Sequence, residues 1–113
     1  MAAVLSATTL VGDKVKNLAG EDLGKMEDIV IDLQSGRVAY GVVSFGASFM
    51  HSGKFFAIPW ASLAVDQGDK KIILNVPKET LESAEGFDKD HWPDMADPSF
   101  RTRTYGHYGA ALW

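Results

Sequence analysis

LGKMEDIVIDLQSGRVAYGVVSFGASFMHSGKFFAIPW, residues 23–60, carries the clearest strand pattern in the chain. It reads as three β-strands in succession, joined by a tight turn and one longer loop. In Ile29-Val30-Ile31-Asp32-Leu33 the odd positions are apolar, the pattern of one buried strand face. Gln34-Ser35-Gly36 then supplies a small polar residue and a glycine able to take positive φ, so the chain reverses. From Arg37 to Phe45 both parities are apolar, Val38, Tyr40 and Val42 on one side and Ala39, Val43 and Phe45 on the other. A strand covered on both faces reads this way, which places it centrally or beneath the C-terminal segment, with Gly41 permitting strong coiling. Lys54 to Ile58 is the third run, closed by Pro59, which has no N–H to give a ladder. Between Met26 and Ile29 the apolar parity slips from even to odd across Glu27-Asp28. That slip predicts a β-bulge, a device by which a small sheet curls into a barrel.

Working outward, residues 1–9 form a weakly patterned lead-in, and Lys14 to Asn17 a short strand followed by a turn through Gly20. After Pro59, Trp60-Ala61-Ser62-Leu63 reads as a single turn that tucks the indole against the sheet. Ala64 to Asp66 and Lys71 to Val76 form a hairpin around Gln67 to Lys70, Pro77 ends the sheet, and Lys78 to Ser83 is a short helix. The domain therefore spans 10–83. Beyond it, 84–113 holds Pro93, Pro98, four aspartates and several large rings, the composition of an irregular aromatic tail. The expected fold is all-β: a small, partly open antiparallel barrel of five or six strands, then the short helix and the tail.

A chain of 113 residues has room for one core. A net charge of −4 argues against a phosphate-binding surface, and so against nucleic acid as the partner. Zero cysteines removes disulfides, thiol catalysis and zinc–thiolate sites together and fits a reducing compartment. The N-terminus lacks the charged and apolar regions of a signal sequence, and no apolar run approaches the ~20 residues of a membrane span. The expected setting is cytoplasmic, without membrane insertion.

These pieces, in this order, resemble the PRC-barrel family, the small barrel found also in the photosynthetic reaction-centre H subunit and in a ribosome-maturation factor. The resemblance is carried by Val15 with Asn17 to Gly20, Leu23-Gly24-Lys25 into Glu27 to Asp32, Ser35 to Tyr40, Val43 to Gly46 and Phe56-Ala57-Ile58-Pro59-Trp60. It covers about Leu10 to Val76. Phe87-Asp88, Trp92 to Met95 and Asp97-Pro98 resemble the tail of free-standing bacterial members. The reaction-centre subunit's anchor and the maturation factor's preceding domain have no counterpart here. The resemblance implies a protein-interaction or scaffold module without enzymatic activity, and it brings no functional residues to carry over.

The residues themselves offer no catalytic constellation. Gly46 to Lys54 ends in Gly-Lys, but its glycine spacing is too long for a phosphate loop and Phe55 replaces the needed hydroxyl. Asp88, Asp90, Asp94 and Asp97 with His91 open like a calcium loop, yet Trp92 takes a ligand position and Pro93 the required glycine. They read as solvated acids and turn caps. Arg101, Arg103, Tyr105, His107 and Tyr108 mix charge with rings as single-strand binders do, on a short tail of an acidic chain. No cofactor is expected. The rings of Trp92, Phe100, Tyr105, Tyr108 and Trp113 carry about 1.5–3 kcal/mol each if buried, so the tail docks either on its own barrel or on a neighbouring copy. The second choice gives a homodimer. Phe49, Met50 and His51, on the long loop, are either contacts for a protein partner or a lid over the barrel end. The function read from the sequence is a non-catalytic, self-associating interaction module. An RNA- or ribosome-associated module and a small-ligand-binding barrel are the alternatives.

Overall fold

The computed structural model describes residues 5–45, 54–66 and 68–110. A short helix, α1 (Ala7–Leu10), precedes strands β1 (Lys14–Lys16), β2 (Asp22–Asp32), β3 (Arg37–Phe45) and β4 (Lys54–Pro59). A 3-10 turn at Trp60–Ser62 leads to β5 (Leu63–Asp66) and β6 (Lys71–Leu74), then α2 (Lys78–Glu82), β7 (Phe87–Asp88) and α3 (Pro98–His107). Among the described residues the strands form one sheet of seven in the order β5-β6-β1-β2-β3-β4-β7.

The meander of β2, β3 and β4 is antiparallel throughout, as its turns require. Its register skips between Met26 and Asp28, which puts the bulge on Glu27, where the parity slip placed it. The Glu27 carboxylate there accepts from the Ser44 hydroxyl across the ladder at 2.5 Å. At the hairpin, Gly36 takes φ 74° and its N–H closes onto the Asp32 carbonyl at 2.8 Å. The Asp32 carboxylate accepts from the Ser35 hydroxyl at 2.6 Å.

Three expectations need correction. The sheet has seven strands rather than five or six, because the tail returns β7 to the open edge of β4. It is also mixed: β6 runs parallel to β1, pairing Val15 with Ile72. A pairing between segments so far apart leaves no local trace in alternation or turn residues. Finally, 98–107 is a helix rather than irregular chain.

Val15, Met26, Val43, Phe56, Ile58, Ile72 and Leu74 are buried together in the main core, with Leu81 of α2 closing one end and Trp60 packed against it. Leu63 of β5 reaches across to β3, where a Cβ on Gly41 would lie 2.7 Å from its Cδ1 and 2.9 Å from Met26 Cε. A second cluster on β3 and β4, Ala39, Tyr40 and Ala57, is covered by Tyr105 of α3. Ala39 to Val43 is consequently buried without a break, as the two-sided apolar run required.

Gly24 is fixed by a closer constraint. A Cβ there would fall on the Ser44 backbone carbonyl and within 2.9 Å of Phe45 Cα, and backbone cannot move aside as a side-chain end can. Gly24→Ala is expected to cost about 3 kcal/mol, the upper end for overpacking. Gly106→Ala, in α3 with open space around the new methyl, should gain about 0.5 kcal/mol. Denaturant midpoints of the two variants check both signs.

Candidate functional site

Two candidate surfaces lie where the tail meets the barrel. Asp97 and Pro98 start α3: the Asp97 carboxylate accepts from the Ser99 N–H at 2.9 Å, and proline fills the first helical position. The helix lays Phe100 and Tyr105 on Tyr40, with ring centroids 5.8 and 5.6 Å apart in edge-to-face geometry. The Tyr105 hydroxyl donates to the Ala39 carbonyl at 2.6 Å. Tyr108 packs on the main core, and His107 donates through Nε2 to the Thr80 carbonyl at 2.8 Å, tying α3 to α2. Burial pushes the Tyr40 phenol up to about 12, reinforced by Tyr105 and opposed by the Arg101 guanidinium. Burial also raises Tyr105, against the same arginine, and raises Tyr108.

Beside this roof runs a groove of about 560 Å³. Ile31 and Leu33 at the tip of the β2–β3 hairpin form one wall, Ala39 and Tyr40 the floor, and Met95, Pro98 and Arg101 the other wall. Leu33 is 91% exposed and Ile31 50%. Neither is buried, although simple alternation gave both the buried face. The second register skip, between Val30 and Ile31, has its extra residue, Ala39, on β3, so alternation along β2 is unbroken. Ile31 and Leu33 are exposed because they stand at the hairpin end, where they line the groove and not the main core.

At the β4–β7 end a second surface is built from three rings. Phe87 pairs with Phe55 across the ladder, and their centroids lie 6.3 Å apart at 81°. Trp92 stands 6.4 Å from Phe55 at 80° and 5.3 Å from Phe87 at 61°. Its indole N–H donates to the Lys89 carbonyl at 2.8 Å, which fixes the ring while leaving the residue 40% exposed. Next to it Lys54 binds Asp88 at 2.7 Å, and that hydrogen bond and charge hold the Asp88 carboxyl below its usual range.

Of the residues singled out from sequence, Phe100, Tyr105 and Tyr108 pack against their own barrel, while Trp92 joins the exposed corner. Phe49, Met50, His51 and Trp113 lie outside the described residues. The groove brings in Ile31, Leu33 and Met95, which the sequence reading did not mark as surface. A leucine inside a turn otherwise made of Asp32, Gln34, Ser35 and Gly36 was the available signal. Among the described residues no three His, Cys, Asp or Glu side chains gather so as to hold a metal ion. None of the described helices is long and apolar enough to cross a membrane.

In comparisons with known proteins, the family model of the PRC-barrel domain matches residues 3–81. No curated protein matches. The match takes in β1 to β6 and stops at α2, so β7, α3 and the segment between them lie beyond it.

The tyrosines provide a test of this packing. Every tyrosine of the chain, Tyr40, Tyr105 and Tyr108, is raised above the ordinary value of 10.0. A folded-state value above the unfolded one stabilises the protein fully below pH ~10, and the contribution is lost as pH climbs through the folded value. Phenolate absorbance should therefore develop later than that of free tyrosine, with its midpoint above pH 10 and its last part, together with loss of the circular-dichroism signal, as the pH approaches 12. A tyrosine ionising near pH 10 in the folded protein contradicts it. Tyr105→Phe removes the bond to Ala39 and should cost about 1–2 kcal/mol in chemical denaturation.

Proposed function

The chain belongs to the PRC-barrel family, and from that premise we propose that it is a non-catalytic, cytoplasmic protein-interaction module that pairs with a second copy of itself through the groove beside Leu33. The observation that carries this reading is the position of Leu33, 91% exposed on the rim of the groove that it helps to form. A two-fold interface uses one patch twice, so a projecting side chain and the hollow that receives it must lie side by side on the same surface. Leu33 and the Ala39–Tyr40–Met95 hollow have that arrangement. Each buried leucine is worth about 1.5–3 kcal/mol, and the pair enters twice.

The perturbed hydroxyls support a non-catalytic role. Tyr40, which floors the groove, is driven away from neutrality rather than toward it, and an acid–base group works best near the operating pH. The RNA-binding alternative has weaker support, because Arg103 pairs with Glu85 at 3.6 Å and lies 5.6 Å over the Phe100 ring. A small-ligand site asks for an enclosed hollow with convergent polar groups, and this groove is open along the hairpin tip.

Sedimentation of the full chain tests the proposal. The wild type should move from monomer toward dimer across micromolar concentrations. Leu33→Lys should remain monomeric with an unfolding midpoint within about 2 °C of wild type, because an exposed turn residue contributes little to the core. A wild type that stays strictly monomeric over that range would overturn the reading.

A further inference from the structure

We propose that the ring corner of Phe55, Phe87 and Trp92 is a second binding site, which takes an arginine side chain from a basic segment of another protein. The site lies at the β4–β7 end, not on the Leu33 groove, and does not depend on self-association.

Three features of the corner select the occupant. First, the indole is fixed and its donor is spent. Trp92 Nε1 already donates to the Lys89 carbonyl at 2.8 Å, so the exposed ring offers a π surface and no hydrogen bond. A proline-rich ligand, which docks on aromatic grooves, would look there for a donor to its carbonyls and find none. Second, the three rings stand at 81°, 80° and 61° to one another, the walls of a corner rather than a stack. Ring faces attract cations through their quadrupole, tryptophan most strongly. Third, the neighbouring charge is net negative, with Asp88, Asp90 and Asp94 set against Lys54 and Lys89. Asp90 and Asp94 are exposed, each two residues from Trp92 and so within about 7 Å along the chain. Among the described residues neither forms an ion pair, whereas Asp88 and Glu85 are matched by Lys54 and Arg103. The Asp94 carboxylate accepts from the Ala96 N–H at 3.0 Å, and an apolar occupant would offer neither it nor Asp90 a compensating charge for lost water. An acidic occupant would be repelled by them.

Arginine fits better than lysine. Its guanidinium is planar, stacks on a ring and is less strongly hydrated, and it can meet a carboxylate at the same time. The fold already holds one such contact, Arg103 over Phe100.

The test uses the full chain and three blocked peptides of equal length, an oligo-arginine, an oligo-lysine and an uncharged Gly/Ser control, titrated by calorimetry at moderate salt. The expected result is saturable binding of the arginine peptide, on the order of five- to tenfold tighter than the lysine peptide, and none of the control. That preference should fall to near unity in Trp92→Ala and persist in Trp92→Phe. Binding should also survive in Leu33→Lys, which keeps this result separate from the self-association experiment. Equal affinity of the two cationic peptides for the wild type means diffuse charge attraction and overturns the proposal. So does an arginine preference unchanged in Trp92→Ala. The wild-type comparison needs no variant, so poor folding of Trp92→Ala leaves the question decidable.

Discussion

The contact of Leu63 with β3 at Gly41 forces the sheet to curl and so creates the main core. β5 begins the sheet order and β3 stands four places further on, with β6, β1 and β2 between them. For the two to touch, the sheet must bend back on itself, and the space a side chain would fill at position 41 is taken by Leu63 Cδ1 and the end of Met26. The bend encloses the methyls and rings of Val15, Phe56, Ile58, Ile72 and Leu74, which a flat sheet of short strands would leave in water. The Glu27 bulge serves the same end: it adds local twist to β2, the longest strand, where the sheet turns. Leu81 of α2 then covers the barrel end.

The second layer depends on the first. α3 reads Pro-Ser-Phe-Arg-Thr-Arg-Thr-Tyr-Gly-His, with two threonines and a glycine, and a helix of ten residues with such a composition would not persist alone in water. It is held by what it covers. The ring of Tyr40, fully buried beneath it, gives Phe100 and Tyr105 their apolar contact, and the Ala39 carbonyl gives the Tyr105 hydroxyl its acceptor. A strand interior normally offers its carbonyls to neighbouring strands. That one of them on β3 is bonded from above by a side chain shows how closely the helix sits on the sheet.

The legible and illegible parts of this chain divide along physical lines. What is local was readable: the slip from Met26 to Ile29 marked the bulge, Ser35-Gly36 the reversal, Pro77 the end of the sheet, and the double apolar run of β3 its two-sided burial. The parallel pairing of β1 with β6 was not, since nothing near Lys14–Lys16 differs according to which distant strand lies beside it. Ile31 and Leu33 went astray because alternation assigns a side of the strand and not a depth, and at the hairpin end that side lies beyond the core. For α3 the start signal was present in Asp97-Pro98, but the threonines, the glycine and the nearby Pro93 outweighed it. Of the surfaces, Trp92 was found by its size. Its partners Phe55 and Phe87 come from segments more than thirty residues apart, joined by a short pairing.

Both candidate surfaces have one construction. The groove takes Ile31, Leu33 and Tyr40 from the part of the chain that the family model matches, and Met95, Pro98 and Arg101 from beyond it. The corner takes Phe55 from inside the match, and Phe87 and Trp92 from beyond it. A barrel shared across a family supplies a rigid floor, and a segment laid over it decides which side chains stand up at the seam. Apolar exposure is not confined to the seam, since Leu18 in the β1–β2 turn is 73% exposed, but at the seam it adjoins a groove and a ring corner. Leu33 in a hairpin turn does nothing for the core, and a polar residue would serve the turn as well. Trp92 is held by its N–H and packed on Phe55 and Phe87, yet the residue remains 40% exposed. The fold ties down its tail with Tyr105 and His107 and yet leaves these two apolar groups outward, which is the observation that motivates both proposed contacts.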